Sequence, residues 1–245
     1  YPDHGYPVRL LIPGYIGGRM IKWLSKITVT KEEGHNHYHI FDNRVFPKHI
    51  TSKEEATKHK IWTDYNYVIN DRNINSAIWA PAHCEKVALS QSAYKVGGYA
   101  YNGAGRPVNR VEVTLNDGHT WIPADIIRFE EPNQYGMSYC WVHWHAEIPV
   151  SDLQQCHEIA VCAWDDSINR QPELPSWNLM GMMNNNWFRV KVHDMPSGEG
   201  IWFEHPTRVE PGINHYWDRD CGRKENLYLK ADGSLPSPGW MERLA

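Results

Sequence analysis

Between Asn75 and about Val192 the chain breaks into short apolar or alternating runs, and this spacing leaves few folds open to it. Residues 87–89, 94–101, 108–115, 121–127, 139–148 and 158–164 each read as a strand, with Gly, Pro and Asp turns between them. Asn116-Asp117-Gly118 lies between two such runs. It is a hairpin signal, because Asn, Asp and Gly tolerate the positive φ that tight hairpins need. Gly103-Ala104-Gly105 reads as a turn rather than a phosphate loop, since no helix pattern follows it. Many short strands with little helix signal predict a β-sandwich of immunoglobulin type.

Composition narrows the class. The 245 residues allow one large domain or two small ones, and 41% apolar with 22% charged residues is a globular balance. Twelve Trp and 13 Tyr imply broad aromatic packing surfaces. A net charge of −4 gives no overall attraction to nucleic acid or anionic membrane. No apolar run approaches the ~18 residues of a membrane span, and no signal peptide is seen. Five Cys, at 84, 140, 156, 162 and 221, form no CxxC pair. With no Asn-x-Ser/Thr acceptor, they predict mostly reduced thiols in a reducing compartment.

Ahead of the strands the organisation differs. Residues 8–12 read as a short apolar strand ended by a Pro13-Gly14 turn. Residues 51–60 carry Lys53, Glu54, Glu55, Lys58 and Lys60 and read as a solvated linker or short helix. The tail from about Pro206 is rich in Gly, Pro and Asp and is expected to wrap over other elements. These shifts predict a first unit at 1–70, a strand-rich unit at 71–205 and an extended tail at 206–245. The opening Tyr1-Pro2-Asp3-His4-Gly5 lacks Met and reads as the middle of a domain.

Four motifs could carry chemistry. His4-Gly5-Tyr6-Pro7-Val8-Arg9 is followed by Gly17-Gly18-Arg19-Met20-Ile21-Lys22. The paired Gly lets backbone approach a ligand closely, and Arg19 and Lys22 can meet one anion as a planar fork and a point charge. On residue chemistry alone a turn with solvated basic residues is favoured over an anion site, and the spacing is not that of a Walker loop. His35, His37 and His39 at period two would share one face of a strand. No Cys or carboxylate completes a metal set at a convincing spacing, so a polar strand face is favoured. Asp42-Asn43-Arg44 reads as a turn with Asn in the left-handed region. The run 177–190 is too apolar for a surface loop and too rich in amides for a core strand. An unpaired buried polar group costs about 1–3 kcal/mol, so Asn184, Asn185 and Asn186 beside Trp177 and Trp187 point to a site or an organised turn. Met180 alone reads as core filler, and Trp187 and Arg189 as packing and pairing residues.

These stretches, in this order, resemble the eukaryotic assimilatory nitrate reductases of the sulfite oxidase family of molybdenum-pterin enzymes. Residues 3–9 and 13–24 are similar to the end of the molybdenum-pterin domain. Residues 73–76, 98–103, 110–115, 163–166 and 177–190 are similar to the dimerisation domain. The likeness spans roughly residues 1–205 and fades in the tail. It implies a mainly β chain: the remnant of an α+β molybdopterin domain, then an immunoglobulin-like dimerisation domain.

The resemblance also implies roles. His4, Arg9, Arg19 and Lys22 would hold the pterin and its phosphate. Asn43 falls where sulfite oxidases have Tyr, and Met180 where they have an Arg that helps bind the sulfite dianion. An amide can donate to a nitrate oxygen without adding charge, and a monoanion needs less positive charge than a dianion. Asn178 is expected to face the same pocket. The implied cofactor is molybdenum-molybdopterin, with its Cys ligand upstream of Tyr1. None of the five Cys here matches that ligand, so none is assigned to metal. Haem and FAD domains, not in this sequence, would pass electrons from NADH or NADPH. The implied partners are nitrate, those domains and a second copy, in the cytoplasm. A sulfite oxidase is the second reading, disfavoured by Asn43 and Met180. A non-catalytic dimerisation module is the third.

Overall fold

The computed structural model describes residues 1–206, and two regions within them are built differently. Residues 1–74 hold helix α1 (His37–Ile40), helix α2 (Lys53–Lys58) and single turns of 3-10 helix. Their strand-like contacts are the isolated bridges Tyr15–Asp71 and Arg44–Val68. The expected strand at 8–12 does not form. Pro7 and Pro13 flank it without N–H groups, and its backbone pairs with the segment at 21–24 through two bonds, Leu10 N–H to the Ile21 carbonyl and Leu24 N–H to that of Val8. The charged stretch at 51–60 does become a short helix. The Ser52 hydroxyl caps it by accepting from the Glu55 N–H, and the Glu55 carboxylate reaches back to the Thr51 N–H.

Ten strands follow: β1 (Asn75–Ala80), β2 (Lys86–Ala88), β3 (Ala93–Tyr101), β4 (Val108–Thr114), β5 (Ile122–Pro123), β6 (Asp125–Ile127), β7 (Val142–Pro149), β8 (Glu158–Asp165), β9 (Phe188–Asp194) and β10 (Gly200–Glu204). They form two antiparallel sheets, in the orders β1-β3-β7-β6 and β2-β10-β9-β8-β4-β5. The predicted mainly β sandwich is present. The 121–127 run, expected as one strand, divides at Ala124, whose N–H bonds the Val111 carbonyl. β5 pairs with β4 in one sheet and β6 with β7 in the other, so the chain changes sheet there. Helix α3 (Val150–Gln155) and strand β10 were not expected; α3 is short and anchored by buried Val150 and Leu153.

Strand β7 shows how the core is specified. Its alternation buries Val142, Trp144, Ala146 and Ile148 and turns His143, His145 and Glu147 outward. Gly98 lies opposite Trp144 in the register, and a Cβ there would sit 2.4 Å from the indole and 2.0 Å from the Ala77 carbonyl oxygen. The Trp144 Nε1–H donates to the Tyr99 carbonyl at 3.1 Å. A contiguous core built from Ile78, Val96, Val111, Trp144, Ile159, Val190 and Phe203 runs between the sheets.

The outer face of the four-stranded sheet is aromatic. Tyr99 and Tyr101 stack on Trp141, with ring centroids 4.9 and 4.7 Å apart, and Trp79 and Phe129 each meet His143 edge-on at 4.5 Å. Trp79, Trp141 and Phe129 are 42%, 43% and 56% exposed. Among the cysteines, Cys140, Cys156 and Cys162 are free thiols and Cys84 is disulfide-bonded. Among the described residues no helix is long and apolar enough to cross a membrane. The expectation that the tail wraps other elements lies outside the described residues.

Candidate functional site

Residues 1–74 meet the sandwich along one seam. A Cβ at Gly103 would lie 2.3 Å from the Arg72 carbonyl oxygen and 2.7 Å from that of Gly14, so the loop after β3 has to be bare for the first region to dock. The preceding Asn102 donates to the buried Asp165 carboxylate at 2.8 Å. Burial alone would raise the pKa of that carboxyl. Donors from Asn169, Asn102 and Ser167 outweigh burial and hold it below the usual range.

The amide-rich run forms the second attachment, as an organised turn. Asn185 donates to the Ile74 carbonyl at 2.8 Å, and Asn73 reaches the Met183 carbonyl at 2.9 Å. The fully buried Gln171 amide donates to the carbonyls of Asn185 and Asn186 and accepts from Ser76 and the Ala163 N–H. Trp187 donates its indole N–H to the Gln171 carbonyl, and Arg189 pairs with Glu158; both are structural.

This turn carries Met180 across the seam. Leu179 and Met180 pack on the first region's small core of Phe46, Ile50, Ala56, Ile61 and Trp62. Asn178 serves the turn itself. Its side chain donates to the Met182 carbonyl at 2.9 Å and accepts from the Met182 N–H at 3.3 Å. The buried amide is thus held within its own loop, rather than presented as the sequence reading expected.

Asn43 lies three residues before Phe46. It is left-handed, with φ 50°, as the turn reading required. Its carbonyl accepts from the Ile69 N–H at 2.9 Å. A Cβ at Gly18 would lie 2.6 Å from the Asn43 amide oxygen, so Gly18 makes room for that side chain.

The four basic candidates separate into two groups. His4, Arg9 and Lys22 gather around buried Gly5, where a Cβ would lie 3.1 Å from Arg9 Cβ and 3.2 Å from Lys22 Cβ. Arg9 donates to the His4 carbonyl at 3.3 Å, and Lys22 donates to that of Asp3. All three side chains are exposed. Arg19 turns elsewhere: its Nε donates to the Ile69 carbonyl at 2.8 Å and its Nη1 to His39 Nδ1 at 2.9 Å. The expectation that Arg19 and Lys22 meet one anion is therefore not how these side chains are arranged.

His35, His37 and His39 do not share a strand face. The Asn36 side chain accepts from the His39 N–H at 2.9 Å and caps α1, so this segment coils. His37 meets Phe41 in a tilted ring contact at 5.3 Å, while His39 bridges Arg19 and the Glu33 carboxylate. That bond from His39 holds the Glu33 carboxyl below its usual range. Arg44, fully buried, donates to the carbonyls of Asp64 at 2.9 Å and His39 at 3.2 Å. Burial pulls both guanidinium pKa values down, with Glu33 opposing, and Arg19 adds to the lowering at Arg44. Sequence reasoning did not single out Glu33, and it did not foresee that His39 and Arg44 join it in one network. The one local signal was Asn36, a capping residue three positions before His39.

Residues 66–195 match the Mo-co oxidoreductase dimerisation domain. The chain belongs to this family. Residues 1–38 of this dimerisation-domain protein match the oxidoreductase molybdopterin binding domain. It is 49% identical over 86% of its length to the NADH nitrate reductase of Volvox carteri and 48% identical over 85% to the NADPH nitrate reductase of Phytophthora infestans. Against NADH nitrate reductase 2 of Phaseolus vulgaris the identity is 51% over 86%. The chain spans about a quarter of these relatives, from 24% to 25% of their length. The crystal structure of the sulfane dehydrogenase SoxCD from Paracoccus pantotrophus shares the fold, with a TM-score of 0.60 at 17% identity over 85% of this chain and 48% of that one.

The first region fits a molybdenum-pterin group. His4, Arg9 and Lys22 offer exposed basic side chains around one turn. A Cβ at Gly17 would point into open space, and the Arg19 Nη2 is buried without a partner. Among the described residues no three His, Cys, Asp or Glu cluster to hold a metal.

Proposed function

We propose that this chain is the C-terminal part of the molybdenum-pterin region, residues 1–70, and the dimerisation domain, residues 71–205, of a nitrate reductase that converts nitrate to nitrite. Residues 206–245 are its tail. The observation that carries this reading is near-50% identity to nitrate reductases along most of the chain, with Met180 packed across the seam on the first region's core. The pterin-bound molybdenum, when present, supplies the two-electron oxygen-atom chemistry. This chain's residues bind and orient. His4, Arg9 and Lys22 hold the pterin and its phosphate as charge-assisted donors. Arg19, which the resemblance implied for the same role, is turned to Ile69 and His39 and is not part of this group. Asn43 donates its amide to a nitrate oxygen, and Met180 walls the pocket without adding charge. Asn178 keeps the Met180 loop in shape. Haem and flavin domains elsewhere in the polypeptide deliver the electrons. The relatives include both NADH and NADPH enzymes, so either donor suits this chain. The protein works in the cytoplasm.

The assembly reading has its own support. An aromatic sheet face with Trp79, Phe129 and Trp141 roughly half exposed suits burial against a second copy, because exposed apolar patches of this kind mark interaction sites. Catalysis and dimerisation are compatible roles of one protein.

The test is dye-driven turnover of nitrate beside sulfite, using this chain joined to its native upstream sequence and loaded with cofactor. Nitrate reduction without sulfite oxidation is expected. Sulfite oxidation alone overturns the assignment, and no turnover in a loaded sample leaves the assembly role.

A further inference from the structure

We infer that Glu33 and His39 are positioning residues for an oxyanion site built from Arg19 and Arg44 beside Asn43. This rests in part on the function proposed above, but its geometry stands apart from the pterin-facing group of His4, Arg9 and Lys22.

A guanidinium only donates, so His39 Nδ1 must accept from Arg19. The His39 ring proton then sits on Nε2, which donates to Glu33. Arg19 is gripped twice, at Nη1 by His39 and at Nε by the Ile69 carbonyl. Its third nitrogen, Nη2, is buried and has no partner. Arg44 repeats the pattern: Nη1 and Nη2 are bonded to carbonyls, and Nε is buried and unpartnered.

Among the described residues neither arginine makes a carboxylate salt bridge within 4.0 Å; Glu33 acts through His39. A fully buried cation, Arg44, and a half-buried one, Arg19, each with a buried open donor and only indirect compensation, are costly unless an anion completes them. The neighbourhood is that of Asn43. The Ile69 backbone accepts from Arg19 at its carbonyl and donates its N–H to the Asn43 carbonyl, and Gly18, next to Arg19, packs on the Asn43 amide. The ligand class is a small oxyanion. Nitrate and the phosphate of the pterin both present that chemistry.

The experiment uses the chain joined to its native upstream sequence, as wild type, His39→Ala, His39→Gln and Glu33→Gln. Calorimetric affinities for nitrate and for inorganic phosphate are measured together with pterin content and thermal midpoint. His39→Ala is expected to weaken one anion about tenfold. His39→Gln should recover part of that loss, because its amide oxygen can still accept from Arg19. Loss of nitrate affinity with pterin retained assigns the site to substrate; loss of phosphate affinity with pterin loss assigns it to the pterin phosphate. Unchanged affinity for both anions in a folded His39→Ala protein overturns the proposal, as does a lowered thermal midpoint with unchanged affinities. If wild type lacks nitrate turnover but binds an anion through His39, the nitrate reductase reading fails and the oxyanion site stands.

Discussion

In the sandwich every strand from β1 to β10 has a bonded neighbour, and one core runs between the sheets. In residues 1–74 the core reduces to the cluster around Phe46 and Trp62, while Val8, Leu11, Ile21, Trp23, Ile27 and Val29 stay exposed. The sandwich holds itself together. The first region is held by what it touches: Gly103, the Met183 carbonyl, Asn185 and the Met180 loop. Yet His4, Arg9, Arg19, Lys22 and Asn43 all lie in the weakly self-supported part. Binding elements are commonly drawn from regions of low local stability, and a rigid scaffold then sets their position. In the proposed site the scaffold also lends Met180, which packs on the Phe46 cluster.

This contrast can be broken by substitution. Gly98→Ala should have the largest effect, about 3 kcal/mol, because its Cβ would meet Trp144 and the Ala77 backbone, which cannot give way. Urea unfolding checks it, and an unchanged midpoint would mean the sandwich is looser than described. Gly103→Ala, at about 2 kcal/mol, should act on the seam. Limited proteolysis is expected to cut within residues 1–74 while the strands resist. Equal resistance of both regions would show that the seam is not their joint.

Asp165→Asn sharpens the scaffold side. The carboxyl's folded pKa is depressed, so its contribution is full above the unfolded value of about 3.9 and is lost as pH falls through the folded one. The variant should cost about 2 kcal/mol at neutral pH, and the gap from wild type should close in strong acid. A gap that persists there would locate the effect elsewhere. The smallest effect is one of rate. Burial pushes the Cys156 thiol up to about 12 and Cys162 up to about 11. At pH 8 about one thiol in a thousand or fewer is thiolate at these positions, so a thiol reagent should reach them only after unfolding. Rapid labelling in the native state would show that the sandwich opens.

Much of this was legible in the residues. The strand runs stood out because Gly, Pro and Asp punctuate them, and the amide run could be read as an organised turn because buried amides must be paired. The sheet change at Ala124 was hidden, since both halves of that run are apolar and alternate alike. α3 was hidden because six residues give too little period to read. In the site, residue types were readable and directions were not. Spacing placed Arg19 with Lys22, but the carbonyl of Ile69, 50 positions away, turns it the other way. His39 looked like part of a strand face until the Asn36 cap coiled the chain. Asn178 looked like a pocket residue, and its amide closes its own loop.

The central claim is that a loop of the scaffold completes an oxyanion pocket in the first region. Nitrate kinetics of Met180→Arg, in the loaded chain with its upstream sequence, test it most directly. Added charge and bulk at the rim of the Phe46 cluster should lower nitrate kcat/KM about tenfold or more, with pterin content unchanged. Unchanged nitrate kinetics would remove Met180 from the pocket and contradict the account.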